Sequence, residues 1–337
     1  MLKGKFLNSK SGEGTRKVLV VVQYTASMIL LCGTLIVFAQ LNFMRNQSLG
    51  VKTDQTLVVK FPGRTEGMNT KLEAMKKAIA RLPLVDKVTF SGAVPGEEVA
   101  TFLSNRRKSD ALKQNRLYEM LVCDPDYIDA YGLQLVAGRG FSEDYGDDVN
   151  KLVVNESAVR NLGIASNEEA LGEEIEVECT DAPMQIIGVV KDYHQQALNK
   201  NYTPIMLIHK DKIGWLPQRY ISIVMKSGDP KELVSQVEEI WHRYFEDSSY
   251  DFFFLDQFFD HQYRQDEVFG VMIGCFTGLA IFISCLGLWV LVMFSCTTRT
   301  KEMGIRKVLG ATRWNLFYQL GKGFFQLILI AAVSYTH

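Results

Sequence analysis

Few residues in this sequence have the types and spacing that catalysis or metal binding requires. Asp192 and His194 flank Tyr193, and in a strand their side chains would share a face, where a carboxylate and an imidazole could exchange a proton. A turn stabilised by local hydrogen bonds is the interpretation we prefer for this segment. Asp251 and Asp256 flank a run of aromatic residues rather than a cleft, which favours capping and surface roles over paired acid–base chemistry.

Metal and nucleotide sites find no support in the sequence. It contains no His-Glu-x-x-His motif and no Gly-x-x-x-x-Gly-Lys-Ser/Thr loop, and its histidines lack metal-ligand spacing. Among the six cysteines, Cys123 and Cys179 could pair if the middle of the chain lies outside the cytoplasm, but we prefer two separate thiols. We therefore predict no catalytic residue, no metal and no cofactor. The net charge of −1 argues against nucleic acid as a partner.

Two apolar runs set the organisation of the chain. Residues 18–44 and 268–298 contain no Asp, Glu, Lys, Arg or His, and each run is longer than the roughly 20 residues that cross a bilayer. We predict a first transmembrane helix at 18–44, read as an uncleaved anchor rather than a signal peptide, and a second at 268–296. Gly270, Gly274 and Gly278 in the second run have the spacing that lets helices approach closely in lipid.

The basic residues predict which side of the membrane each segment occupies. Lys and Arg dominate residues 1–17 and cluster again after the second run, so both segments are expected in the cytoplasm and residues 45–267 outside it. Past the cytoplasmic segment 297–321, residues 322–337 are apolar but too few to span a bilayer. We therefore expect the chain to stop partway through a third transmembrane helix.

Residues 45–267 are predicted to form a mixed α/β domain. Asn69 is expected to cap a helix that ends at Pro83, and residues 230–245 are expected to form a second helix. The segment from Glu97 to Arg116 is polar and charged, which indicates a solvated loop or helix face. The remaining pattern predicts strands, which include 57–59, 85–90, 117–123, 152–156, 186–190, 204–208 and 220–225.

The segment after the second apolar run predicts an amphipathic helix. Glu302 and Arg306 stand four residues apart and would meet on a helix, while Ile305, Val308 and Leu309 would share an apolar side. Gly310 is a suitable helix end. Such a helix beside a membrane can lie on lipid headgroups or dock onto a partner protein. The simplest reading of its charges is the basic excess expected on the cytoplasmic side.

The ordered string Arg-Thr-Lys-Glu-Met-Gly-Ile-Arg-Lys-Val-Leu-Gly-Ala-Thr at residues 299–312 closely resembles the cytoplasmic segment of the MacB/FtsX family of ABC transporter permeases. The entry to the first run also resembles large two-module permeases common in Bacteroidetes-type bacteria. Further matches to the extracytoplasmic core domain of that family follow in order along the chain: Ser48-Leu49-Gly50, Asp126-Tyr127, Ala137-Gly138-Arg139-Gly140-Phe141, Val154-Asn155-Glu156, Ile187-Gly188-Val189-Val190-Lys191-Asp192-Tyr193-His194 and Phe254-Leu255-Asp256.

The resemblance implies a bacterial inner-membrane protein with a periplasmic domain in two subdomains, the inserted one at about 101–184. It implies a non-catalytic permease that couples ATP hydrolysis to movement of the periplasmic domain, in efflux, lipoprotein handling or mechanotransmission. The separate ABC ATPase is expected to contact Arg299, Lys301, Glu302, Ile305, Arg306, Lys307 and Gly310. Other implied partners are membrane lipid, a periplasmic adaptor or outer-membrane protein, and a second permease module or a homodimer. The alternative is a two-span sensor whose outer domain binds a ligand. A membrane-anchored enzyme is the weakest hypothesis, because no site emerges.

Overall fold

The computed structural model describes residues 10–46, 49–62, 68–110, 114–142, 144, 148–196, 200–214, 216, 218–298, 300–310, 312 and 314–315. Arg299 and the predicted start of a third transmembrane helix at 322–337 lie outside these residues. The chain divides into two units. Residues 1–46 and 264–337 form the first, and residues 47–263 form the second.

The second unit contains strands and helices, whereas the described residues of the first unit are mainly helical. The helices within the described residues are α1 (Lys10–Asn46), α2 (Met68–Ile79), α3 (Tyr127–Ala130), α4 (Glu156–Asn161), α5 (Pro230–Tyr244), α6 (Leu255–Thr298) and α7 (Thr300–Val308). The strands are β1 (Thr56–Lys60), β2 (Val85–Ser91), β3 (Phe102–Arg107), β4 (Arg116–Cys123), β5 (Leu135–Gly138), β6 (Lys151–Asn155), β7 (Glu174–Val177), β8 (Met184–Val190), β9 (Ile205–His209), β10 (Tyr220–Met225) and β11 (Asp251–Phe254).

Helices α1 and α6 each contain a stretch that is long and apolar enough to cross a membrane, at Val21–Phe43 and Glu267–Thr298. The two helices pack against each other at the glycines of α6. A side chain at Gly270 would lie 3.0 Å from Leu41, closer than an ordinary contact, so Gly270 allows the close approach that the spacing predicts, whereas one at Gly274 would make an ordinary contact with Phe38 at 3.7 Å. A side chain at Gly278 would have no atom of α1 within 4 Å, so this glycine does not take part in the contact.

Two pairs of hydroxyl groups join the same helices. The hydroxyl oxygens of Ser27 and Ser284 lie 2.6 Å apart, and those of Thr34 and Thr277 lie 2.7 Å apart. All four residues are buried. Hydrocarbon offers no hydrogen-bond partner, so a hydroxyl group in a span is satisfied when it faces another span rather than lipid. These pairs therefore fix which faces of α1 and α6 meet.

Six strands of the second unit close into a ring. In order around it they are β4, β3, β7, β8, β6 and β9, and the parallel pairing of β4 with β9, from Glu119 opposite Ile205 to Cys123 opposite His209, completes the circle. One cluster of buried side chains draws on every strand of the ring, through Leu103, Tyr118, Leu152, Ile175, Met184 and Met206.

Four of the remaining strands extend from the ring as an antiparallel sheet in the order β11, β1, β10 and β2, and β5 pairs with β8. This sheet joins the ring at one residue pair, Ser91 opposite Cys123. Helices α2 and α5 share its core, in which the ring of Trp241 stacks against Phe61 at 6.0 Å and contacts Phe245 at 4.8 Å. Asp229 caps α5 by accepting a hydrogen bond from the backbone N–H of Lys231 at 2.9 Å.

Most predicted strands and the helix at 230–245 are confirmed, but two local predictions are wrong. Asn69 lies inside α2 and does not cap it, and α2 ends at Ile79, before Pro83. The charged segment 97–116 contains strand β3, whose Arg106 and Arg107 pair with Glu176 and Glu173 at 2.5 and 2.9 Å. The charged side chains that suggest a solvated segment in the sequence form cross-strand ion pairs in the folded domain. The domain boundaries, including the subdomain at about 101–184, stay predictions.

Candidate functional site

Asp192 and His194 do not form the proton-transfer pair that their spacing allows. Asp192 accepts hydrogen bonds from the backbone N–H and the hydroxyl of Ser157 at 2.8 and 2.9 Å, and it pairs with Arg160 at 2.6 Å. His194 is buried against the ring of Tyr202, and burial lowers its pKa. Asp192 therefore anchors α4 to the segment after β8. The side-chain bonds of Asp192 are long-range, but the N–H of Gln195 donates a local hydrogen bond to the carbonyl oxygen of Tyr193 at 3.1 Å, so the expectation of local bonds is right only in part.

The other candidate groups lie apart from one another. Asp251 and Asp256 are exposed, and Asp256 accepts a hydrogen bond from the N–H of Gln257 at 2.7 Å, in line with the surface roles predicted for them. Cys123 is buried and Cys179 is exposed, and both are free thiols. Within the described part of the chain, no group of three or more His, Cys, Asp or Glu side chains is arranged to hold a metal ion.

A buried ion pair that sequence reasoning missed lies where β4 ends. The carboxylate of Asp124 accepts hydrogen bonds from Lys76 at 2.5 Å, from Thr89 at 2.5 Å and from the N–H of Phe90 at 3.0 Å. The side chain of Asp124 is fully buried, and burial is the main cause that raises its pKa, against the pull of Lys76. Lys76 and Asp124 belong to elements far apart in sequence, so no local pattern announces the pair.

Glu119 is the second missed group. It lies in the middle of β4, where alternation suggests an outward, solvated side chain, yet it is 2% exposed. One carboxylate oxygen accepts a hydrogen bond from Gln196 at 3.1 Å, and burial raises the pKa of Glu119. The segment that covers it follows β8, and only the fold brings the two together.

The Gly138-Arg139-Gly140 stretch, one of the matches to the permease family, has a structural explanation. Gly138 has φ +68°, and a side chain there would lie 2.2 Å from the carbonyl oxygen of Ile187. Arg139 holds Asp148 through two hydrogen bonds at 2.6 and 2.8 Å, and these bonds lower the pKa of Asp148. The stretch therefore packs β5 tightly against β8 and ties it to the turn before β6.

The amphipathic segment after the second span folds as predicted. Helix α7 covers Lys301, Glu302, Ile305, Arg306 and Lys307, and it contains no buried residue. The chain leaves the helix through Gly310, whose φ of +93° is a conformation that glycine adopts without strain.

The apolar side of α7 is open. Ile305 is 63% exposed, Val308 is 88% exposed and Leu309 is 80% exposed. Together with Lys301 and Gly304 they line a shallow groove whose surface is almost wholly apolar. A helix that displays three large aliphatic side chains beside several charges has the composition of a binding surface.

Comparison with known proteins decides the family. The family model described as the MacB-like periplasmic core domain matches residues 26–240, and the one described as the FtsX-like permease C-terminal matches residues 274–335. The chain belongs to the MacB/FtsX family of ABC transporter permeases. It is accordingly an inner-membrane protein with a periplasmic α/β domain, and the family is the permease component of ABC transporters.

Individual relatives of this MacB/FtsX-family chain are distant. An uncharacterized ABC transporter permease of Bacillus subtilis, YvrN, is 22% identical over 58% of the chain and 50% of its own length. The macrolide export ATP-binding/permease protein MacB of Aggregatibacter actinomycetemcomitans is 26% identical over 57% of the chain and 30% of its own length. The chain thus spans half or less of these curated relatives.

Among solved structures, the periplasmic region of MacB from Actinobacillus actinomycetemcomitans aligns with a TM-score of 0.44 and 17% identity. The alignment covers 64% of this chain and 94% of that one.

Proposed function

We propose that this chain is the permease subunit of an ABC transporter and that α7 is the element through which a partner ATPase drives it. The contact residues we propose are Lys301, Glu302, Ile305, Arg306, Lys307 and Gly310, together with Arg299, which lies outside the described residues. ATP-driven closure of the partner would move α7 and the spans, and the spans would reshape the periplasmic domain.

The observation that carries this proposal is the exposure of α7. Ile305 and Val308 of α7 and Leu309 just after it are between 63% and 88% exposed, although burying each would be worth about 1.5–3 kcal/mol. That surface gains free energy when a groove on another protein covers it. The helix follows directly on α6, so a force applied to it is transmitted to a membrane span.

The charges of α7 supply orientation. Lys301 lines the apolar groove, Arg306 and Lys307 add two positive charges to the helix, and Glu302 adds one opposite charge. Charged groups at the rim of an interface steer partners together and fix their register, while the apolar centre provides most of the affinity. The partner surface that fits α7 is therefore an apolar groove with acidic residues at its rim.

The proposal includes a membrane orientation. The basic residues before α1 and around α7 favour the cytoplasm for both, which agrees with an ATPase that consumes cytoplasmic ATP. Two relatives support a supply of ATP from an ATPase, because the names of the MacB proteins from Aggregatibacter and Sodalis include both ATP-binding and permease. A second permease module or a second copy of the chain, lipid, and a periplasmic adaptor or outer-membrane protein complete the assembly we propose.

The test is a double charge reversal, Arg306→Glu with Lys307→Glu, in the full chain. Purified from native membranes, the unaltered chain should bring down an ABC ATPase and raise its ATP turnover. The variant should lose about tenfold or more of both, since reversed charges at an interface cost at least the 1.4 kcal/mol of a tenfold change. Unchanged association and turnover would refute docking through α7.

A matched control makes the same charge change elsewhere. Lys231→Glu with Arg243→Glu alters two exposed cations of α5 in the outer domain and should leave association unchanged. Val308→Ser with Leu309→Ser tests the apolar side separately and should also weaken association. If the purified chain brings down no ATP-binding protein but binds anionic vesicles through α7, the two-span sensor becomes the better description.

A further inference from the structure

The segment that follows β8 contacts the connection to the first span directly and the start of the second span's helix through one intermediate turn. We call residues 191–196 the strap. The N–H of His194 donates a hydrogen bond to the carbonyl oxygen of Leu49 at 3.0 Å, on the connection that leaves α1. A side chain at Gly50, which has φ +76°, would lie 3.1 Å from the Cβ of Tyr193. The strap therefore packs directly on the chain that emerges from the first span.

The strap reaches the second span through one intermediate turn. Gln195 is 2% exposed, and its amide donates hydrogen bonds to the carbonyl oxygens of Val94 and Glu97 at 2.8 and 3.0 Å. The N–H of Gly96 in the same turn donates to the carbonyl oxygen of Gln195 at 2.9 Å. Side chain and backbone of Gln195 thus hold this turn at both ends.

That turn rests on the first residues of α6. Gly96 has φ +92°, and a side chain there would lie 2.8 Å from the ring of Phe259 and 3.1 Å from that of Phe258. The two phenylalanines belong to the same helix that becomes the second span. Because the contact has no spare room, a shift of α6 along or about its axis would displace Gly96 and with it Gln195.

One apolar cluster joins these parts. Tyr193, Leu255 and Phe259 are buried in it, and Leu49 and Phe258 pack against it. On the other side, the strap is the direct continuation of β8, and Asp192 anchors α4. The strap is therefore the place where the connections of both spans meet a strand of the ring.

We propose that the strap is a mechanical relay that converts relative movement of α1 and α6 into movement of the six-strand ring. This inference rests on the proposed function only in assuming that the spans move. It assigns the relay to Tyr193, His194 and Gln195. Gly50 and Gly96 are the positions at which the backbone packs closely enough to couple the strap to its neighbours.

The test restrains the spans without any ATPase. Thr34→Cys with Thr277→Cys places two thiols where the hydroxyl oxygens lie 2.7 Å apart, so oxidation locks α1 to α6 and reduction frees them. The full chain in lipid nanodiscs carries this pair in a background in which the other span cysteines are serine, at Cys32, Cys275, Cys285 and Cys296. Hydrogen exchange of β6 and β8 is compared between the oxidised and reduced forms.

With the native strap, locking should change exchange in the ring by about threefold or more, a usual size for coupling between distant sites. Gln195→Leu keeps the size of the side chain but removes both amide hydrogen bonds, and it should abolish that difference. Gln185→Leu is the matched control, because Gln185 lies on β8 in the ring and away from the strap, and it should keep the difference.

The relay is overturned if the native strap shows no difference between the two forms, or if Gln195→Leu retains it. Should Gln195→Leu fail to fold, Phe258→Ala serves in its place, since it trims the contact with Gly96 and leaves the hydrogen bonds of the strap; it should reduce the difference, and an undiminished one overturns the relay. Arg306→Glu with Lys307→Glu should leave the difference intact. A failure of ATPase docking is thereby distinguished from a failure of the relay.

Discussion

The periplasmic domain and the membrane-side helices treat large apolar side chains in opposite ways. In the domain, Leu57 is fully buried and Trp241 is 1% exposed. On the membrane side, Phe276 in α6 is 65% exposed and Val308 in α7 is 88% exposed. Each Å² of apolar surface left in water forgoes about 25 cal/mol. The domain therefore buries its large apolar side chains within itself, whereas those of α6 are left for lipid and, under the proposed docking, those of α7 for a partner surface.

The largest difference in the free energy of unfolding is expected when one apolar side chain is truncated in each region. Trp241→Ala should cost about 3–5 kcal/mol of the free energy of unfolding, because a buried aromatic core residue leaves a cavity. Leu309→Ala should stay within about 0.5 kcal/mol, because its side chain is already exposed. Urea unfolding of the full chain in detergent, followed by circular dichroism, measures both. Equal costs would contradict the contrast.

A smaller difference in the free energy of unfolding is expected between a buried and an exposed ion pair of the domain. Lys76 and Lys210 are similarly exposed, at 17% and 16%, but Asp124 is fully buried, whereas Glu73 and Asp211, the partners of Lys210, are 40% and 44% exposed. Lys76→Met should cost about 3 kcal/mol, because a buried carboxylate loses its cation. Lys210→Met should cost about 1 kcal/mol or less.

The same urea titration measures both lysine variants. The penalty for Lys76→Met should shrink at acid pH, because Asp124 then takes up a proton. A penalty that is independent of pH would show that packing of the lysine stem, rather than charge, sets the cost.

A pH experiment distinguishes two carboxyl groups of the domain. Burial raises the pKa of Glu119, so the folded domain holds this proton at pH values where the unfolded chain, with a pKa of about 4.3, has released it. The contribution of Glu119 to stability therefore falls as pH rises from about 4 toward the folded pKa. Glu119→Gln should flatten that slope and stabilise the domain at pH 7 by about 1 kcal/mol.

Asp148 provides the control of opposite sign. Its hydrogen bonds to Arg139 lower its folded pKa, so its contribution is present above the unfolded value of about 3.9 and is lost as pH falls through the folded pKa. Asp148→Asn should therefore destabilise the domain at pH 7 and become less costly in acid. Unfolding midpoints between pH 3 and pH 8 measure both variants, and slopes of the same sign would refute the assignment.

The smallest expected effect lies in the membrane. Thr34→Val removes the hydroxyl pair with Thr277 and should weaken α1–α6 association by about 0.6 kcal/mol, a typical value for such bonds in lipid. Thr25→Val is the control, because its hydroxyl bonds within its own helix, to the carbonyl oxygen of Val21. Unfolding in mixed detergent and dodecyl sulfate micelles compares them, and equal losses would deny the inter-helix hydroxyl pair any role.

The sequence predicts what is local in this fold. The spans follow from two uncharged runs, and α5 follows from the helical spacing of Leu233, Val237 and Trp241. The closed ring could not be predicted, because its strand β3 has the polar look of a loop until Arg106 and Arg107 meet the glutamates of β7. Pairing between β4 and β9 likewise joins residues with no sequence signal for each other.

The candidate functional residues likewise include some that local sequence predicts and others that only the fold explains. Helix α7 and its end at Gly310 were predictable, since charge and apolar spacing lie within a few residues. The strap was not. Its sequence matches the family between Lys191 and His194, but the reason for those residues lies in contacts with Leu49 and with α4, which only the folded chain brings together.

The closed ring has a consequence for how the domain is made. Strand β4 pairs with β9, so during synthesis and export the chain delivers β3 and β4 to the periplasm long before the strand that completes them. Until Ile205 arrives opposite Glu119, one edge of β4 stays open to wrong partners. Loop closure over such a distance is slow. We therefore expect ring closure to be a slow step of folding, and periplasmic chaperones to act on the chain in that interval.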